Sequence, residues 1–274
     1  MMTTRILVFF SCLLASTTAL SATIDDGLIA HYTFDDTLVD EISGDSGTAV
    51  GNVDFEAGVV GNAVNLDNSS SGSFFYTNEY VELPEVTLGS EFTISHWVRF
   101  DSHVLNFPGH PGATFSMGDG ATNDSVFRVQ LHRDGLIGAS VSSFGPGGAV
   151  YGGGLSYGDS ADINDGEFHH IAWTVEDQVL AQFVDGNLFE SVSLSGPIDI
   201  GTVAAYVGIH TWNGGSSRSS RIDGAIDDLR IYDRALTDGE MLELSGVAPV
   251  PVPAPLLMLG MGLAGLVALR RQHT

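Results

Sequence analysis

Five carboxylates stand at the ends of short apolar runs. Asp35 and Asp36 follow Ile29–Phe34, Asp67 closes Gly61–Leu66, and Asp227 and Asp228 stand just before Leu229–Tyr232. Calcium takes about six to eight oxygens, drawn from carboxylates and carbonyls. These acids, with the carbonyls of the Gly- and Asp-rich loops, are therefore the candidate ligands of a structural Ca2+ ion; the competing role is that of turn-stabilising and surface acids. No Lys or Arg adjoins Asp227 and Asp228 in sequence, so that pair calls for a cation or a buried hydrogen-bond donor. A second set of residues suits sugars, which bind on aromatic faces flanked by amides and carboxylates. Trp212 with Asn213, Tyr151 and Tyr157 in a glycine-rich stretch, and Trp97 are the candidates. Core packing is the competing role for Trp97, and the expected one for Trp173.

Other reactive types are poorly arranged. His169 and His170 are adjacent and fall on opposite faces of one strand, so they cannot both ligate one metal ion. His103, His110 and Asp119 share a loop and could cluster. Glycoside cleavage needs two carboxylates facing each other across the bond, whereas Glu167 and Glu176 sit at opposite ends of one apolar run. Cys12, the one cysteine, lies in the leader, which removes thiol nucleophiles, disulfides and cysteine metal sites from the rest of the chain.

The elements that must position these residues read as short strands. Phe92–Phe100 alternates, with Phe92, Ile94, His96, Val98 and Phe100 on one face and Thr93, Ser95, Trp97 and Arg99 on the other. That is the pattern of a half-buried strand, and His96 is expected in the core as a neutral ring held by one hydrogen bond. Further strands are expected at 29–34, 61–67, 80–83, 127–131, 136–141, 167–175, 180–184, 188–192, 203–210 and 229–232. Asp185-Gly186 marks a tight hairpin. Asp40–Gly51, 101–126, 144–165 and 213–221 read as turn-rich loops, the third with a short strand in it. Thr237-Asp238-Gly239-Glu240 has the spacing of a capping box and opens a short helical turn through Leu244. Many strands and almost no helix predict an all-β protein.

The chain holds 34 acids against 10 bases, a net charge of −24, and contains no Lys. A surface so acidic repels phosphate backbones and anionic membranes, and no basic stripe is present, so nucleic acid is excluded as a partner. A saline habitat and an ordinary acidic secreted protein both fit. Residues 1–22 carry one early charge, Arg5, an apolar run and small residues near Ala22. These are the marks of a secretory signal peptide. Residues 23–246 suffice for one large β domain.

Seven fragments in order carry a resemblance: His31–Asp35, Gly61–Asp67, Tyr80–Glu82, Phe92–Val98, Phe168–Ala172, Phe183–Gly186 and Gly224–Tyr232. Together they resemble the laminin-G-like, concanavalin-A-like domains, the group that includes the pentraxins. The resemblance implies an antiparallel β-sandwich jelly roll, makes His169-His170 a structural signature, and raises the expectation of calcium between the first and last strands. It covers adhesion, sugar binding and catalysis alike. The paired-acid pattern of the familiar hydrolases of this fold, Glu-x-Asp-x-x-Glu, is absent.

Residues 247–274 carry a second resemblance. A Val-Pro-Val-Pro-Ala-Pro spacer, the uncharged run Leu256–Leu269 and then Arg270-Arg271 are similar to the exosortase-recognised sorting signals of Gram-negative bacteria, in the PEP-CTERM variant with an apolar residue between prolines. It implies processing by an exosortase-type enzyme after transient anchoring in the inner membrane by a short transmembrane helix. An uncut anchor is the alternative. The expected function is non-catalytic attachment of an exported cell-surface or extracellular protein to polysaccharide or another matrix component. The alternatives are a structural surface or biofilm-matrix protein without a glycan site, and a polysaccharide-active hydrolase or lyase.

Overall fold

A computed structural model describes residues 23–68, 79–101, 112–118, 126–131, 137–144, 150–154, 163, 165–212, 217–219 and 222–246. In chain order the strands are β1 (Leu28–Tyr32), β2 (Thr48–Val50), β3 (Asp54–Ala57), β4 (Asn62–Leu66), β5 (Tyr80–Leu88) and β6 (Phe92–Phe100). They continue as β7 (Gly112–Met117), β8 (Val126–Leu131), β9 (Ile137–Phe144), β10 (Val150–Gly154), β11 (His169–Glu176) and β12 (Val179–Val184). The rest are β13 (Asn187–Ser193), β14 (Gly201–Val207), β15 (His210–Trp212), β16 (Ser217–Ser219) and β17 (Gly224–Tyr232), followed by helix α1 (Asp238–Leu244).

Two antiparallel sheets form the sandwich. One runs β13-β12-β11-β6-β17-β4-β3, with β1 also paired to β17; the other runs β10-β9-β8-β7-β14-β5-β2. β17 is the organising strand: β6 lines one of its edges, while β4 (at Gly224–Ile226) and β1 (at Leu229–Tyr232) share the other. The alternation in β6 explains the core. Phe92, Ile94, Val98 and Phe100 join Ile171, Trp173 and Val175 of β11 and Ile226, Leu229 and Ile231 of β17 in one apolar cluster, which also takes Phe115, Met117 and Phe127 from the opposite sheet.

His96 lies in that core, fully buried, as its position predicts. Instead of the single expected hydrogen bond, neither ring nitrogen has a partner among the described residues, and the ring tilts against Trp173 at 5.7 Å. Burial, helped by His170, pushes its pKa down to about 3, so the ring is neutral.

The expected strands all appear within a few residues. Five were not expected: β2 and β3, β7 inside the expected 101–126 loop, β15 beyond His210, and β16 inside the expected 213–221 loop. Asp185 and Gly186 both take positive φ, 47° and 75°, the type I′ turn that suits the twist of a hairpin. On α1 the Thr237 side chain accepts from the Glu240 amide, and Glu240 accepts from the Thr237 amide, completing the capping box. The outer face of the larger sheet is partly covered by a second apolar cluster of Ala172, Phe183, Tyr232, Leu236 and Met241. Among the described residues no helix is long and apolar enough to cross a membrane; the leader and the tail expected from sequence lie outside them.

Candidate functional site

The polar centre of the molecule lies on the outer face of the larger sheet, where β17 bulges. Asp227 stands opposite Trp97 and Arg230 opposite Ser95, so Asp228 and Leu229 together face the single residue His96. Asp228 is in the left-handed region, φ 48°. The extra residue breaks the alternation, and each acid finds its own partners.

Asp227 is completely buried. Its Oδ2 accepts from the amides of Val59 and Val60, at 2.7 and 2.9 Å, in the turn between β3 and β4. Its Oδ1 has no hydrogen-bond partner among the described residues. Burial outweighs the amides of Val60, Val59 and Asp228, and with the charge of Asp228 it raises the Asp227 pKa to about 6. The other end of the same turn is held by Asp35 and Asp36: Asp35 Oδ1 accepts from the Asn62 amide at 2.6 Å, and Asp36 Oδ1 from Asn62 Nδ2 at 3.0 Å. A Cβ on Gly58 would collide with Asp227, and one on Gly61 (φ 74°) with Asp35. Glycine at both places lets the turn sit between the two carboxylates.

Asp228 Oδ1 lies 2.6 Å from His31 Nε2 and accepts from Arg230 Nε at 3.2 Å. Burial opposes ionisation, but His31 and Arg230 outweigh it and hold this carboxyl below the usual range. The two acids thus meet the sequence-based requirement in different ways, one through amides and one through bases, and the nearest base is two residues further along the strand. Asp67 is elsewhere: it is exposed, and its amide donates to Glu79 Oε2 at 2.8 Å. The five expected metal ligands therefore occupy three places. Asp35, Asp36 and Asp227 surround one turn, while Asp228 and Asp67 are apart. Among the described residues no three of His, Cys, Asp and Glu are grouped as metal ligands.

Beside the bulge, Trp97 is half-buried and sets its indole edge-on to His170, with ring centroids 5.3 Å apart. Behind it, His170 Nε2 lies 2.8 Å from Ser95 Oγ. Both residues are buried, His170 Nδ1 has no partner, and Asp185 accepts from the His170 amide rather than from its ring. Among the described residues no side chain takes the orienting place of a triad's third member at His170 Nδ1. Burial lowers the His170 pKa to about 4, against the opposing charges of Asp185 and Asp228. His169 faces the other way, as expected, with Nδ1 2.9 Å from Asp185 and Nε2 3.2 Å from Asp165.

Tyr151 is on β10, the edge of the smaller sheet, and Trp212 is on β15, paired with β16; only their backbones are described. Asn213 and Tyr157, like His103, His110 and Asp119, lie outside the described residues. His31, Ser95 and Arg230 were missed by sequence reasoning. The outward face of β6 and the spacing of Arg230 from Asp228 were the available signals for two of them; nothing in the sequence linked His31 to the bulge.

Two antiparallel sheets around one core, closed by a bulged acidic strand, define a lectin-like sandwich. Residues 75–241 match the family described as the concanavalin A-like lectin/glucanases superfamily, and the chain belongs to that superfamily. No curated protein matches the chain. Among solved structures, domain 4 of AbnA, an extracellular arabinanase from Geobacillus stearothermophilus in complex with arabinotriose, is similar at 22% identity and a TM-score of 0.60, over 80% of this chain and 98% of that one. The binding domain of botulinum neurotoxin serotype D/C is similar at 15% identity and a TM-score of 0.59, over 82% of this chain and 53% of that one. That of serotype C1 gives 15% and 0.58, over 81% and 52%. The chain spans about half the length of these toxin domains, and at such identities the likeness is one of fold.

Proposed function

We propose that this protein is a non-catalytic, calcium-assisted module that attaches an exported chain to polysaccharide or another extracellular matrix component. The observation that carries the reading is Trp97, a partly exposed indole on an outer sheet face, backed by His170 and bordered by the Asp227-Asp228 bulge. An aromatic face beside fixed carboxylates and bases suits a sugar ring. The arabinotriose complex of the similar arabinanase domain, nearly all of which this chain covers, supports the same ligand class. The absence of a catalytic role is supported by how the reactive groups are committed: Asp227 to amides, Asp228 to His31 and Arg230, and Ser95 to a buried histidine. Trp212, Asn213, Tyr151 and Tyr157 belong in this proposal as a second contact region.

Calcium enters through the turn between β3 and β4. The unpartnered, buried Oδ1 of Asp227 is an oxygen that a cation would satisfy, and Asp35 and Asp36 hold the same turn. Because these three acids do not converge as one ligand group, main-chain carbonyls would supply the remaining oxygens. The ion's contribution is structural: it fixes the turn against the sheet. Export rests on the signal-peptide pattern of residues 1–22 and the sorting-signal pattern of 247–274, which imply an exosortase-type enzyme and transient contact with the inner membrane.

The test is binding of the purified protein to a broad polysaccharide array, with calcium and with chelator. Selective binding that falls at least tenfold in Trp97→Ala is expected, and a parallel Trp212→Ala variant assigns the second region. A blank array across acidic, neutral and sulfated glycans would overturn the glycan reading in favour of the structural one. For the ion, saturating calcium should raise the unfolding free energy by about 3 kcal/mol at a hundred times the dissociation constant. Identical melting in calcium, magnesium and chelator would remove calcium from the account.

A further inference from the structure

A groove of about 660 Å³ runs over the outer faces of β11, β12 and β13, walled by the segment that leads into α1. It is separate from Trp97, because His170 beside that indole and Thr174–Glu176 beside the groove lie at opposite ends of β11. Val179, Ala181, Leu188 and Leu236 give it an aliphatic strip, beside the hydroxyls of Thr174, Ser191 and Thr237. Val179 is 36% and Leu188 56% exposed, two large apolar side chains open to water on a strongly acidic protein. Phe183 and Leu236 complete the floor. The rim is acidic: Glu176, Asp177 and Asp238 line the groove and are exposed, and none has a salt bridge among the described residues. Among the described residues neither an Arg nor a His lines it.

We propose that this groove docks a cationic, aliphatic peptide segment of a partner protein. Branched aliphatic side chains of the segment would cover Val179 and Leu188, while its Lys or Arg residues would meet Glu176, Asp177 and Asp238. The chemistry discriminates among occupants. A sugar ring seeks an open aromatic plane, and the ring of Phe183 is only 4% exposed. A second copy of this chain carries the same net charge of −24 and would bring carboxylates to carboxylates. A basic segment is complementary on both counts, and its encounter would be accelerated by the acidic field.

The test is fluorescence anisotropy of a labelled peptide of alternating Leu and Arg with the full-length chain. Glu176→Gln, Asp177→Asn and Leu188→Asp each alter an exposed side chain, and circular dichroism checks that the variants fold. Each should weaken binding by about tenfold, Glu85→Gln on the other sheet should leave it unchanged, and binding should weaken as salt rises. Equal binding by a Ser-Arg peptide, or by all variants, would reduce the interaction to general attraction toward an acidic protein and overturn the proposal. A Leu-Ser peptide that binds as tightly would remove the charge complementarity and overturn it too. Concentration-dependent dimers that Leu188→Asp abolishes, in a protein that ignores the peptide, would give the groove to a second copy instead. None of these outcomes bears on the glycan array, so the two readings stand or fall separately.

Discussion

Two histidines in this sandwich are pulled in opposite directions, and their linkage to folding differs in sign. The pKa of His96 is lowered, so its contribution is present above the unfolded value near 6.5 and is lost as pH falls toward about 3. Because both nitrogens are buried without partners, His96→Leu should raise stability by about 1 kcal/mol at pH 7 and flatten the acid limb of a stability-against-pH curve. Denaturant melts at pH 4, 5.5 and 7 check this, and a less stable variant at pH 7 would show that the imidazole has a partner. His169 is the reverse case. Burial opposes its protonation, but Asp185 and Asp165 outweigh burial and raise its pKa. Its contribution is complete below the unfolded value and is lost as pH rises through the raised one, so His169→Gln should abolish a loss of stability on the alkaline side of pH 6.5. The sequence made His96 legible as a buried neutral ring, since alternation alone places it inward. It could not reveal that the hydrogen bond is missing, because that depends on neighbours contributed by other strands.

The turn between β3 and β4 shows where local reading stops. Gly58-Val59-Val60-Gly61 resembles any short polar-free turn, yet carboxylates from residues 35 and 227 meet on it. Gly61→Ala places a Cβ against Asp35 in a backbone region that costs an L-residue about 1–2 kcal/mol by itself. The variant should lose roughly 2 kcal/mol or more, read as a lower denaturant midpoint with an unchanged m-value; a loss below about 0.5 kcal/mol would mean that the turn is free to move. The strong alternations, Phe92–Phe100 and His169–Val175, were legible because each carries a complete inward face. β7 was not, since Gly112–Met117 is flanked by glycines and prolines and shows too short a period. The bulge was equally hidden: Asp227-Asp228-Leu229 has no sequence mark that says two residues will face one.

At the scale of the molecule, the excess of 34 acids over 10 bases makes the surface repel itself. Raising sodium chloride from about 0.1 to 1 M shortens the Debye length from roughly 10 to 3 Å, so the melting temperature should climb with salt. A flat or falling curve would show that the acids are spaced widely enough not to interact. The all-β class and the superfamily were legible in the sequence because fragments from most of the core strands keep their order. The grouping of the outer-face residues was not, since His31, Trp97, His170 and Asp228 come from four strands. β17, the strand that joins β6 to both β1 and β4, is the last strand among the described residues. During synthesis every earlier strand of that sheet leaves the ribosome before the piece that unites them exists. The first strand must wait about two hundred residues for its partner, and until then its pairing edge has no neighbour in this sheet.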